Sequence, residues 1–224
     1  MAGVLNDDKL EALLARLQGR SQAQEADTQA YFRRRGEAGE LSWEGLDAEA
    51  HRFMADKLVA LDPAKAEYCY LLCRALGARR IVEVGTSHGV STLYLAAAVR
   101  DAGGGVVIGT EYEPAKAAAA RANFDAAGLA QFIDLREGDL RETLKALEGP
   151  IDFVLMDIWT EMARPAIELI APHLRPGAVV CADNTGRVRE PYRAYFAFVN
   201  DPANGFRTLT LPFEGGFELT VKCA

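Results

Sequence analysis

The chain has 224 residues, half of them hydrophobic and 25% charged, with a formal net charge of −7 at pH 7. That size and balance fit an ordinary soluble domain with a substantial core, and the acidic charge argues against a nucleic-acid binder, which would carry a basic face. No apolar run approaches the ~20 residues that span a bilayer. The start, MAGVLNDDKLEALL, lacks the basic residues and apolar stretch of a secretory signal. A cytoplasmic protein that binds neither membrane nor nucleic acid is therefore expected. Cys69, Cys73, Cys181 and Cys223 have no zinc-type spacing and read as packing residues. The basic run Arg33-Arg34-Arg35 is followed by Glu37 and Glu40 and reads as a solvated patch.

Taken from the N-terminus, the pattern is first all helical. Residues 8–17 place leucines at 10, 13, 14 and 17, an amphipathic stripe. Helices are expected at 54–60 and 65–76, separated by Asp62-Pro63. Residues 1–61 are taken as a helical extension that caps the sheet or meets a partner subunit, and residues 62–224 as the main domain. From Ile81 the chain alternates. Strands are expected at 81–84, 106–112, 132–138, 151–157 and 178–184, with helices at 91–99, 114–127, 139–147, 164–174 and 191–199. Apolar runs of strand length alternating with helices predict a parallel sheet covered on both faces. Two closing strands, 206–212 and 217–223, are joined only by residues 213–216 and should pair antiparallel at one edge.

The most informative stretch is RRIVEVGTSHGVS, residues 79–91. A buried strand runs into a glycine turn and then a helix. Such a turn lets the backbone approach a ligand and offers unpaired N–H groups to an anion. Gly85 and Gly89 fit neither G-x-G-x-x-G nor the Walker pattern. Glu111 ends the second strand, where an acid can accept hydrogen bonds from ribose hydroxyls. A ligand with a ribose and no pyrophosphate, such as S-adenosylmethionine, satisfies both observations. A second group, Asp157, Asp183 and Asn184, ends adjacent strands. Two carboxylates and an amide suit Mg²⁺ or Ca²⁺, and the same residues also suit an ordinary acidic loop with an Asx turn.

The pieces IVEVGTSHGVSTLYLA, GTEYEP, IDFVLMDIW and VVCADN together resemble the class I S-adenosylmethionine-dependent methyltransferases. Within these they are similar to the small metal-dependent O-methyltransferases of the catechol and caffeoyl-CoA type. The resemblance, from about residue 62 onward, implies an α/β fold: a Rossmann-like seven-stranded, mostly parallel sheet with a reversed edge strand and helices on both faces. It implies a homodimer and a small-molecule hydroxyl substrate. It maps the ribose acid to Glu111, the carboxylate-binding serine to Ser91, the adenine contacts to Asp139 and Leu140, and a wall of the ring to Trp159. It maps the divalent-cation ligands to Asp157, Asp183 and Asn184. The full expected cofactor set is Glu83, Gly85, Thr86, Ser87, Gly89, Ser91, Glu111, Tyr112, Asp139, Leu140, Asp157 and Trp159. One residue departs from the family: its lysine, three positions beyond the strand-four aspartate, is here Thr160, which cannot act as a base. Asp157 and His88 are the expected catalytic residues, with His51 and Glu161 as further candidates for the base.

Overall fold

The computed structural model describes residues 3–40, 47–186 and 190–223. Seven strands, β1 (Arg80–Val84), β2 (Val106–Glu111), β3 (Ile133–Glu137), β4 (Ile151–Met156), β5 (Leu174–Asp183), β6 (Phe206–Leu211) and β7 (Phe217–Lys222), form one sheet in the order β3-β2-β1-β4-β5-β7-β6. The first five strands pair parallel; β7 runs antiparallel to both β5 and β6. The seven-stranded, mostly parallel sheet expected from the sequence is present. Its reversed strand, β7, lies between β5 and the edge strand β6.

Both faces of the sheet are buried, and side-chain alternation sorts the strands between two cores. Ile81, Phe153, Leu155 and Cys181 join one core; Val82, Val84, Val154, Met156 and Val180 join the other. The first core is covered by α1 (Asp8–Glu37), α3 (Pro63–Leu76), α4 (Val90–Asp101) and α5 (Pro114–Ala127), and the second by α6 (Leu140–Thr143), α7 (Thr160–Ile170) and α8 (Arg193–Val199). Caps set several helix ends. Asp62 accepts from the N–H groups of Ala64 and Lys65 to start α3, with Pro63 in its first turn, and Gly77 ends it in the left-handed region. Pro114 and Gly128 bracket α5 in the same way.

Two N-terminal expectations need correction. The leucine stripe over 8–17 marks only the first part of α1, which runs 30 residues to Glu37 and buries Tyr31 and Arg35 further on. The helix expected at 54–60 lies earlier, as α2 (Ala48–Met54), started by Asp47. Residues 55–62 are not helical because side chains of α1 take their backbone groups. Gln24 accepts from the Leu58 N–H (2.8 Å), Ser21 from the Ala60 N–H (3.1 Å), and Gln18 donates to the Leu61 carbonyl (2.9 Å). Among the described residues no helix is long and apolar enough to cross a membrane.

Gly89 shows how tightly the turn after β1 is packed. Its φ is 82°, and a Cβ placed there would lie 2.3 Å from Phe124 of α5. Gly89→Ala should destabilise the fold by ~2–4 kcal/mol, combining a left-handed backbone with overpacking. Urea unfolding measures this, and a change under ~0.5 kcal/mol, the range of an ordinary surface substitution, would contradict it.

Candidate active site

Four parallel strands end level with one another. Val84 pairs with Thr110 on one side and Met156 on the other, and Met156 pairs with Ala182. One step further along each chain stand Gly85, Glu111, Asp157 and Asp183. By strand alternation these four lie toward the face that α3 and α4 cover. Neighbouring β1 and β4 continue in opposite directions across the sheet, which opens a crevice at their C-terminal ends.

A cavity of about 680 Å³ occupies that crevice, a size that suits a cofactor and a small partner. Of the expected cofactor residues, Gly85, Ser87, Glu111, Tyr112, Asp139, Leu140, Asp157 and Trp159 line it. Glu111 is preset there: its carboxylate accepts from the N–H groups of Ser87 (2.7 Å) and Glu113 (2.8 Å). The other four stand behind the wall. Glu83 is fully buried and accepts from the Thr86 (2.9 Å) and Thr92 hydroxyls. Burial raises its pKa, and hydrogen bonds from Thr92, Ser91 and Thr86 pull it back. Ser91 and Thr86 therefore serve Glu83, and Gly89 packs on Phe124. These residues shape the loop rather than face the cavity.

The non-glycine residues with positive φ include Ser87 (50°) and Asn184 (59°), both lining this cavity. Conformations of that kind cost energy and gather at functional sites. Asn184 turns the chain just after β5, and its N–H (2.7 Å) and side-chain amide (3.2 Å) both donate to Asp183. The Tyr192 hydroxyl holds the Asp183 carbonyl (2.8 Å). Lys65, from the first turn of α3, donates to Asp183 Oδ1 at 2.5 Å. Nothing in the sequence pattern singled Lys65 out.

Asp157 is pushed up to about 8, first by burial, then by the charges of Asp183 and Glu83, with Lys65 pulling the other way. No hydrogen bond enters that balance. Here the half-buried Asp157 lines the cavity beside the buried Asp183, and the Asn184 amide is a third oxygen donor. That donor set fits a hard divalent cation as a partial shell, completed by water or ligand oxygens. Among the described residues no three His, Cys, Asp or Glu side chains group as a metal site, and the third donor of this set is an amide, that of Asn184.

The histidine expectations divide. His88 is not among the described residues lining the cavity. It is buried, and burial with the charges of Lys116 and Arg20 lowers its pKa to about 4. Its ring thus stands outside the set of residues that line the cavity with Asp157. His51 of α2 and Glu161 of α7 do line the cavity, with Met54 and Val59 beside His51. Residues 187–189, within a segment from Thr185 to Glu190 that the sequence offers for acceptor specificity, lie outside the described residues.

Comparison with known proteins agrees with this fold. Residues 82–185 match the family described as a methyltransferase domain. The chain is 37% identical over 131 residues to the catechol O-methyltransferase of Mycobacterium tuberculosis, covering 58% of each chain. It is 33% identical over 137 residues to that of Niastella koreensis, covering 58% of this chain and 59% of the relative. The chain thus spans less than two thirds of the length of these curated relatives. The O-methyltransferase from Bacillus cereus, solved in complex with SAH, superposes with a TM-score of 0.66 at 26% identity, over 73% of this chain and 82% of that one. Strand order and strand-end site define a class I, Rossmann-like methyltransferase fold. Residues 82–185 match a methyltransferase-domain family, and the resemblance to S-adenosylmethionine-dependent O-methyltransferases is supported by these matches.

The raised pKa of Asp157 has a stability consequence in chelator-treated protein. Its folded value of about 8 lies above the ~3.9 of an unfolded chain. Folding then takes up a proton between those values, so this contribution is present below pH ~4 and lost as pH rises through ~8. Asp157→Asn cannot titrate. Its Tm relative to wild type should climb between pH ~5 and ~8 and level off above, whereas a difference constant with pH would contradict the assignment.

Proposed function

We propose that this protein transfers the methyl group of S-adenosylmethionine to a hydroxyl of a small acceptor carrying two adjacent hydroxyls, as a catechol does. A divalent cation held by Asp157, Asp183 and Asn184 assists. The observation that carries the reading is the single cavity joining Gly85, Glu111, Asp157 and Asn184. The catechol O-methyltransferase relatives support the acceptor class.

Each residue then has a defined task. Glu111, already oriented by two backbone N–H groups, accepts the ribose hydroxyls. Tyr112, Leu140 and Trp159, which line the cavity, flank the adenosine. Bound cation would act as a Lewis acid that lowers the acceptor hydroxyl's pKa. Glu161, which lines the cavity beside the turn where Thr160 replaces the family lysine, receives the proton. His51, Met54 and Val59 cover the cavity from the α2 side and help exclude water. The sulfonium cofactor supplies methyl and leaving group, while the protein supplies orientation.

The direct test incubates the protein with labelled S-adenosylmethionine and catechol. Label should move to the catechol with added Mg²⁺ and fall to background with excess EDTA. Transfer that survives EDTA removes the cation from the reading, and no binding of S-adenosylmethionine in calorimetry removes the reading itself. Glu111→Ala should weaken that binding about 10–100-fold, the loss expected for hydrogen bonds to a charged group. Unchanged affinity would place the ribose elsewhere.

A further inference from the structure

Lys65 is a cation in an unfavourable place. It lies in the first turn of α3, at the positive end of the helix dipole, and only 4% of its surface is exposed. Burial of an ammonium is costly unless it is paired. Its partner is Asp183 at 2.5 Å, and the Phe217 ring lies 5.6 Å away. Asp62 caps the same turn through backbone N–H groups of Ala64 and Lys65.

Bracing alone does not account for the lysine. Asp183 is already held by the Asn184 N–H and amide, its carbonyl by Tyr192, and its backbone by pairing with Phe217. What Lys65 changes is charge. Ionised Asp157 and Asp183 offer two negative charges to a cation, and Lys65 cancels one while occupying Asp183 Oδ1. At this range a unit charge matters strongly even at an effective dielectric near 20.

We propose that Lys65 is a resident counter-cation of the ion site, competing with the divalent ion for Asp183. The site then holds its ion weakly by itself and tightly only when ionised acceptor oxygens add negative charge. Ion and acceptor thus bind cooperatively, by linkage. This inference rests on the cation reading given under Proposed function.

Bracing and competition predict opposite signs. The test is Mn²⁺ binding to the full chain loaded with SAH, followed by electron paramagnetic resonance, for wild type, Lys65→Met, Lys65→Gln and Lys65→Arg. Unchanged SAH affinity and Tm identify the variants that fold, and the glutamine variant stands in if methionine misfolds. Removal of the charge should tighten Mn²⁺ about tenfold or more, and Lys65→Arg should stay near wild type. Added catechol should tighten wild type more than Lys65→Met. Equal or weaker Mn²⁺ binding by both neutral variants overturns the competition. If neither wild type nor variants bind Mn²⁺ with catechol present, the cation reading fails as well. Mn²⁺ binding only by the neutral variants upholds Lys65 as the resident cation and removes the ion from the native enzyme.

Discussion

The site depends on how closely the chain passes itself between β1 and β4. The Asp157 N–H donates to the Val84 carbonyl at 3.0 Å, and a Cβ on Gly85 would lie 2.0 Å from the Asp157 carbonyl oxygen. Only glycine fits there, at a φ of 96°. That contact holds the two strand ends side by side where their connections diverge. The crevice, the loop to Gly89 and the position of Asp157 all follow from it.

Around that point the fold gathers four carboxylates in or beside a buried region, and it treats each differently. Glu83 accepts from two hydroxyls at Oε2, while its buried Oε1 has no partner. Glu111 is satisfied by backbone N–H groups and still faces the cavity. Asp183 meets Lys65 and Asn184. Asp157 has like charges for neighbours and one opposing charge, that of Lys65. A residue left in that state weakens the free protein, and a ligand that relieves it is bound with the energy so released. The acid that looks worst placed for stability is the one that the proposed reaction uses.

Most of this was legible in the sequence because parallel strands buried on both faces write themselves as short apolar runs, and because strand ends are where such sheets work. The ends of the helix from Pro114 to Ala127 could be read outright, since proline and glycine carry the stop signals. The outer part of α1 could not be read, because its exposed half has no apolar stripe. The bend at 55–62 depends on Gln24 and Ser21 reaching across from α1, contacts that no local pattern encodes. His88 looked catalytic from its place in the loop, yet a local pattern does not show burial, and its buried ring is not among the described residues lining the cavity. Lys65 was invisible for the plainest reason: its partner lies 118 residues away.

The central claim is that one cavity brings a methyl donor against an oxygen-ligated ion at Asp157. Crystals grown with SAH and Mn²⁺ and measured at the manganese absorption edge test it most directly. The account predicts one anomalous peak bounded by Asp157, Asp183 and Asn184, with the SAH ribose on Glu111 and its sulfur facing that peak. SAH seated on Glu111 with no peak among those three residues, or SAH bound outside the cavity, would contradict it.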